Sequence, residues 1–358
     1  MLSRVLVDGY KSIDRVELIL KNFTLLSGVN SAGKSSVIQT ILYMIQLEKR
    51  NGRFPVETSF DLGKFVDVRN NIRGSKQIRF ELDLREEDGN VRTSCADIYP
   101  EGNLDKVDFT TSLLEGGQRY TDRHKVIYLS VERVGVQNFY PLSIADPREI
   151  GNRGEYVYSY LALYGQESLA EEAFAFNPEQ IGLSMNNQVN YWLEYLMGFR
   201  IQTNIIQDVD QVVVTYSNAG NKRYYRPQNV GTGITYMSML VIAALSCHKG
   251  DTLVIENPEI HMHPRAQSRF MELIAFLAGR GLQIILETHS DHIYNGMRKC
   301  VKSGGLQKEQ TAAYFLELDE TMQTKVSLIR LNDQGAEENH PRGLFDQFDD
   351  DLDELLGM

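Results

Sequence analysis

Gly28-Val29-Asn30-Ser31-Ala32-Gly33-Lys34-Ser35 decides the fold of this chain, because it matches the phosphate-loop pattern G-x-x-x-x-G-K-[ST]. The apolar run at residues 23–26 predicts a buried strand, and the apolar spacing over residues 36–47 predicts a helix. A strand, a glycine-rich loop and a helix in this order are the context in which the motif indicates a phosphate site. These flanks disfavour the competing interpretation, which is a chance match in a glycine-containing turn.

The loop predicts a nucleotide site with a magnesium ion. Its backbone N–H groups, together with the helix N-terminus, can hold the β-phosphate. Lys34 is predicted to reach the β- and γ-phosphates, and the Ser35 hydroxyl is predicted to bind Mg²⁺. The glycines matter because a Cβ would block the phosphates or demand an unfavourable backbone angle. The residues predicted to contact the nucleotide are Gly28, Asn30, Ser31, Ala32, Gly33, Lys34, Ser35 and Ser36.

Length and composition are typical of a soluble globular chain. The 358 residues allow one large or two ordinary domains, and 42% of them are hydrophobic. The longest nearly apolar run, residues 237–247, is too short to span a bilayer, and we expect no signal peptide and no membrane partner. Three widely spaced cysteines predict a reducing, cytoplasmic setting.

The charge distribution says little about partners. A net charge of −11 disfavours a surface coated in nucleic acid, but it leaves room for a local basic groove. Lys11, Lys49, Arg50 and Arg53 are weak candidates for DNA contact, and ordinary surface charge is the favoured alternative. The acidic stretch 346–354 predicts a solvated C-terminal helix or a frayed end, with a docking tail for a basic partner as the alternative.

Strands that alternate with helices predict an α/β fold with a mainly parallel core and the phosphate loop at its carboxyl edge. The predicted parts are an N-terminal lobe at 1–139, a helical subdomain at 140–225, a C-terminal lobe at 226–335 and a tail at 336–358. Apolar spacing in the middle part predicts helices near 156–164, 167–176 and 187–197.

A second set of motifs follows the middle region. Residues 253–259 form a hydrophobic strand that ends in acidic residues, the pattern of a Walker-B segment. One carboxylate there can hold Mg²⁺ through water, and a neighbouring one can orient the attacking water. Residues 286–290 are another strand end and deliver His289 near the same edge. Residues 230–233 precede a helix N-terminus that could bind a second phosphate. Taken alone, this segment indicates a plain glycine-rich helix start instead.

Together these motifs resemble the ABC-type ATPases of the OLD, RecF and SMC branch. Four blocks in the right order carry the resemblance: 28–35, 230–234, 255–264 and 287–290. Tyr10-Lys11-Ser12-Ile13 is similar to the opening strand and turn of that branch. Residues 340–347 look like a small C-terminal domain of unknown function found on some of these bacterial ATPases. The resemblance implies a P-loop NTPase with an ABC-type head, an N-terminal antiparallel β portion and a helical subdomain.

The resemblance also implies a mechanism that needs two copies of the chain. Gly231, Thr232 and Gly233 stand where the signature motif does and would act on a partner's γ-phosphate, and His289 stands where the switch histidine does. ATP with Mg²⁺ is the implied cofactor, and a nucleotide-promoted homodimer is the implied assembly. The implied roles are bacterial anti-phage defence or DNA maintenance and repair. About seventy residues follow His289, so we expect a separately encoded effector rather than a fused nuclease domain.

One departure from the family pattern affects catalysis. Glu256 occupies the Mg²⁺-associated position, but Asn257 stands where a water-activating glutamate is expected. An amide can orient water but cannot usefully accept a proton near neutral pH. We therefore predict weak ATPase activity, with Glu256 or Glu259 as a substitute base. A non-hydrolysing ATP sensor or scaffold is the alternative that Asn257 favours.

A zinc-dependent enzyme is the alternative from another class. It would use His261 and His263, with His289 and His292 and the acidic residues Glu259 and Asp291 nearby, because a His-x-His pair beside carboxylates can bind zinc. Arg133 follows a predicted strand at 126–131, and it is predicted to face the nucleotide or the dimer interface, or else to form a surface salt bridge.

Overall fold

The computed structural model describes residues 1–49, 64–86, 88–101, 106–112, 123–218, 220 and 223–357, with the backbone alone at 101, 106–112, 348 and 349. Arg50 and Arg53, two of the candidate DNA contacts, lie outside these residues. The chain divides into a terminal unit, made of Leu2–Gly117 and Glu287–Met358, and a central unit, made chiefly of Gln118–Leu286.

Strands and helices are numbered in chain order. The described strands are β1 Leu2–Tyr10, β2 Ile13–Ile19, β3 Phe23–Gly28, β4 Ile78–Arg85, β5 Val91–Glu101, β6 Lys106–Ser112, β7 Val126–Leu129, β8 Tyr140–Pro141, β9 Phe199–Ile206, β10 Gln211–Asn218, β11 Tyr224–Tyr225, β12 Thr252–Glu256, β13 Gln283–Glu287, β14 Thr311–Leu318 and β15 Thr324–Ile329. The described helices are α1 Lys34–Lys49, α2 Phe65–Val68, α3 Val157–Tyr164, α4 Pro178–Ile181, α5 Met185–Met197, α6 Thr232–Leu245, α7 Pro264–Ala278, α8 Asp291–Lys302 and α9 Gln347–Leu356.

The terminal unit places the phosphate loop between a parallel strand pair and an antiparallel sheet. β3 runs parallel to β14, and β14 pairs with β15 in the antiparallel sense. A separate antiparallel sheet has the order β2-β1-β4-β5-β6. α1 packs on this second sheet through Tyr43, whose ring lies 5.7 Å from that of Phe80. The strand predicted at 23–26 is confirmed as part of β3, whereas β5 and β6 were not predicted.

The central unit has a parallel pair and a helix that is buried on all sides. β12 runs parallel to β7, which ends at Leu129 and is shorter than the strand predicted at 126–131. In α6 every residue from Gly233 to Leu245 is buried except Tyr236. A helix that is apolar all round belongs inside a protein. The predicted strand and helix order of residues 226–300 is confirmed, and α/β is the observed fold class.

The middle region contains a sheet as well as helices. α3 and α5 confirm two predicted helices, but the helix predicted at 167–176 is wrong. Ser168 forms a bridge to Ser184, and only the 3₁₀ turn Glu172–Phe174 is helical there. Its apolar spacing belongs to an irregular segment that buries Leu169 and Phe174. The segment 199–225 holds β9, β10 and β11, an antiparallel sheet that the sequence did not predict.

The C-terminal segment ends in a short acidic helix. α9 confirms the predicted helix, and Leu352, Leu355 and Leu356 on it are exposed. Before α9, His340 lies between the carboxylates of Glu337 and Asp346. Among the described residues, none of the helices combines the length and the apolar character that a membrane crossing requires.

Candidate nucleotide site

The phosphate loop is shaped by the strand beside it. β3 stays in register with β14 until Gly28, opposite Leu316, and the Val29 N–H donates to the Leu316 carbonyl at 3.1 Å. Gly28 has φ +136°, and a Cβ on it would lie 1.9 Å from the Leu316 carbonyl oxygen. The structural reason for this glycine is therefore contact with β14 and a backbone angle that L side chains avoid.

The rest of the loop turns sharply before α1 begins. Ser31 has φ +61° and Gly33 has φ +97°, both in the left-handed region. A Cβ on Gly33 would lie 2.8 Å from Oγ1 of Thr324 in β15. Asn30 and Ser31 are exposed, whereas Ala32, Gly33 and Ser36 are buried. Alternating left- and right-handed backbone of this kind forms concave surfaces that bind anions.

Lys34 and Ser35 start α1 and carry the polar groups of the loop. The Lys34 ammonium donates to the carbonyls of Gly28 at 2.9 Å and Val29 at 2.8 Å, and the side chain is 3% exposed. Its positive charge is therefore held over the loop itself. The Ser35 hydroxyl donates to the two carboxylate oxygens of Glu287, at 3.2 and 3.3 Å.

The segment after β13 brings the predicted histidine to the same unit. The Thr288 N–H donates to the Leu26 carbonyl of β3 at 3.0 Å, and the Ser290 hydroxyl caps α8 by accepting from His292 and Ile293. His289 lies between these two fixed residues and is exposed. The sequence analysis named His289 as a site residue but did not single out Glu287, although an acidic residue at the end of a buried strand was a usable signal.

The acidic strand end lies in the central unit. Glu256 ends β12 and is 6% exposed, and one of its carboxylate oxygens accepts from the Val131 N–H at 3.1 Å. Burial raises the pKa of Glu256 above its ordinary value, while hydrogen bonds from the Val131 N–H and the Tyr128 side chain oppose this effect. A carboxyl with a raised pKa accepts a proton more readily near neutral pH.

Arg133 fixes the backbone that follows Glu256. Its guanidinium donates to the carbonyls of Glu256 at 2.7 Å and Asn257 at 2.5 Å, and the side chain is 4% exposed. Burial lowers the pKa of Arg133 to about 10, and the charge of Glu259 acts against that shift. The predicted surface salt bridge is therefore wrong, because Arg133 is a buried clamp on the acidic loop.

The acidic loop folds back onto the start of α6. Asn257 has φ +43° and His261 has φ +62°, both left-handed. The His261 ring lies 5.0 Å from that of Tyr236, and a Cβ on Gly233 would lie 2.3 Å from the His261 carbonyl oxygen. Gly231 and Thr232 are exposed, and no side chain caps this helix N-terminus. Gly233 is thus required by packing against the acidic loop.

The proposed zinc ligands have other surroundings. His263 caps α7, its Nδ1 accepting from the Arg265 N–H at 3.2 Å, and His261 packs on Tyr236. Within the described ranges, no three His, Cys, Asp or Glu side chains form a group that could hold a metal ion. In the described structure, His261 is thus engaged in ring packing and His263 in helix capping, and the zinc alternative gains no support from their surroundings.

The fold of the described chain is that of a P-loop ATPase head of the ABC type. Solved heads have this fold: the SMC head domain from Thermotoga maritima is 11% identical with a TM-score of 0.50, over 92% of this chain and 99% of that one. An Smc head from Pyrococcus furiosus, bound to the C-terminal domain of ScpA, is 13% identical with a TM-score of 0.57, over 99% of each chain.

Residues 23–295 match the family described as "AAA domain, putative AbiEii toxin, Type IV TA system", and the chain belongs to that family. Residues 306–355 match a second family, described as a protein of unknown function (DUF3696). The chain is also 22% identical over 324 residues to the OLD nuclease of Thermus scotoductus (strain ATCC 700910 / SA-01), which covers 81% of this chain. It spans 59% of the length of that relative.

Proposed function

We propose that this protein binds ATP with Mg²⁺ and hydrolyses it slowly, as a nucleotide-gated homodimer. The observation that carries the proposal is the loop from Gly28 to Ser35, between a parallel strand and the start of α1, with Lys34 held over it. The residues fit a triphosphate, because left-handed residues in such a loop form an anion-binding surface and the Lys34 ammonium lies beside the loop carbonyls, where it can reach phosphate oxygens. Mg²⁺ would supply charge neutralisation between the β- and γ-phosphates.

The residues of the acidic loop account for slow hydrolysis. Asn257 can orient a water but not deprotonate it, so the base must be Glu256 or Glu259. The raised pKa of Glu256 suits a base, but its carboxylate is nearly buried and accepts from Val131. We assign to His289 a hydrogen bond to the γ-phosphate, the role that the family resemblance implies, and its exposure supports this assignment.

The dimer proposal rests on the start of α6. Gly231 and Thr232 are exposed, and their helix N-terminus lacks a side-chain cap. A partner's γ-phosphate would satisfy those N–H groups and the positive end of the helix dipole. Closure would then be most favourable while the γ-phosphate is present, and hydrolysis would loosen the dimer.

The cellular role is proposed from the relatives. The similarity to an OLD nuclease supports anti-phage defence or DNA maintenance in the bacterial cytoplasm. Because the match covers 59% of that nuclease, its cutting activity is not transferred to this chain. If the cellular role involves DNA cleavage, we assign the cleavage to a separately encoded effector. We also propose that the dimer binds DNA.

A second candidate function is a non-hydrolysing ATP sensor. The specific observation in its favour is Asn257 at the position of the catalytic acid, with its carbonyl held by Arg133. Such a protein would close on ATP and reopen only when the nucleotide dissociates.

Single-turnover phosphate release and native mass measurement test these proposals together. We expect the wild-type protein to release phosphate slowly and to double its mass with ATP, and we expect Lys34→Ala to do neither. ATP binding and doubled mass without phosphate release under any condition, including added DNA, would favour the sensor. Absence of ATP binding in the wild type would refute both.

A further inference from the structure

We propose that Glu287 is the carboxylate ligand of the magnesium ion, bound next to the Ser35 hydroxyl within the terminal unit. This assignment rests on the proposed ATP–Mg²⁺ function and deepens it. It replaces Glu256, which the sequence predicted as the acidic residue of the metal site, with Glu287, which belongs to the same compact unit as Ser35.

The distances around Ser35 fit a shared metal ion. Mg²⁺ takes six oxygen ligands at about 2.0–2.1 Å in near-ideal octahedral geometry, so neighbouring ligand oxygens lie about 3 Å apart. The Ser35 hydroxyl oxygen lies 3.2 and 3.3 Å from the two carboxylate oxygens of Glu287. A metal ion that binds the Ser35 hydroxyl can therefore also bind Glu287 without a large movement of either side chain.

The backbone around Glu287 is fixed, and it holds the carboxylate beside Ser35. Glu287 is 3% exposed, it ends β13, and it precedes Thr288, whose N–H is bound to β3. A nearly buried carboxylate is stabilised by hydrogen bonds and by cations. The Ser35 hydroxyl already donates to Glu287, and a divalent cation beside Ser35 would add to that stabilisation.

Glu256 is the less suitable ligand by its own contacts. Glu256 belongs to the central unit rather than to the unit that holds Ser35, and one of its carboxylate oxygens already accepts a hydrogen bond from the Val131 N–H. Glu256 thus fits a base or a structural acceptor, and Glu287 fits the metal.

The test measures ATP binding rather than turnover, for the wild type and three variants, in Mg²⁺ and in EDTA. Glu287→Gln keeps the size and an acceptor oxygen but removes the charge. In EDTA we expect this variant and the wild type to bind ATP with equal affinity. In Mg²⁺ we expect the increase in ATP affinity to be smaller in the variant by about tenfold or more. Glu256→Gln should keep the increase in ATP affinity that Mg²⁺ causes. The control Glu317→Gln, which breaks an ion pair with Lys325, should keep it as well.

A second measurement counts bound Mn²⁺ by electron paramagnetic resonance in the presence of ATP. We expect a Mn²⁺ dissociation constant raised about tenfold or more in Glu287→Gln. Circular dichroism checks the fold, and Glu287→Asp, which keeps the charge, should restore part of the Mn²⁺ affinity. If Glu287→Gln keeps the full metal effect, this inference is wrong and the proposed function stands. If the wild type does not bind ATP in either medium, the proposed function is wrong.

Discussion

Replacing Arg133 with Met tests whether this buried cation holds the acidic loop. The guanidinium makes two short hydrogen bonds to the Glu256 and Asn257 carbonyls, and a longer one, 3.2 Å, to Ser130. Hydrogen bonds from a charged donor contribute about 1.5–3 kcal/mol each. Burial of the guanidinium lowers the pKa of Arg133 to about 10, which means that its charge is unfavourable there. Removing that charge offsets part of the lost hydrogen-bond energy. We expect a net destabilisation of about 2–4 kcal/mol.

Urea unfolding monitored by circular dichroism measures this change. Arg153→Met is the matched control, because Arg153 is exposed and its Nε donates to one carbonyl, that of Glu132, at 2.9 Å. That variant should change stability by less than about 1 kcal/mol. Equal unfolding midpoints for Arg133→Met and the wild type would refute the clamp.

Three further predictions concern the loop, catalysis and pH. Gly28→Ala should destabilise the protein by roughly 3 kcal/mol or more, measured by urea unfolding, since its Cβ would overlap a β14 carbonyl. Asn257→Glu should speed phosphate release by about tenfold or more, because it supplies a base where only an amide stands. Hydrogen bonds to Glu337 and, to a smaller extent, Asp346 raise the pKa of His340. Protonated His340 should therefore stabilise the fold at low pH, and this stabilisation should be lost as the pH rises through the pKa of His340 in the folded protein. The melting temperature as a function of pH measures this effect.

Each of these has an outcome that contradicts it. Wild-type stability in Gly28→Ala would mean that β14 moves aside easily. Unchanged phosphate release in Asn257→Glu, with ATP binding intact, would mean that position 257 does not face the attacking water. For His340, the control is His340→Gln, and an identical pH dependence of its melting temperature would remove the ion pairs as the cause.

The sequence was most informative where a local pattern determines the structure. The phosphate loop and the strand and helix beside it follow from residues 23–47, and the apolar run of α6 identified a buried helix. β10 could have been found, since Val212, Val214 and Tyr216 alternate with less buried residues. The false helix at 167–176 shows that apolar spacing alone does not exclude an irregular segment.

Local sequence patterns do not predict contacts between residues that are far apart in the sequence. The reason for Gly28 is the carbonyl of Leu316, and the partner of Ser35 is Glu287. The surface salt bridge considered for Arg133 was wrong because two of its acceptors are backbone carbonyls more than a hundred positions later. Backbone acceptors leave no mark in the residue types, so only the folded structure reveals them.

The absence of space between Gly233 and His261 has a mechanical consequence. A hydrogen atom fits there and a methyl group does not, so the start of α6 and the turn after β12 cannot shift independently. A displacement of the start of α6 toward this turn is therefore passed by direct contact to the acidic loop that follows Glu256. An event outside the central unit could thereby alter the chemistry of the acidic loop without any ligand reaching it.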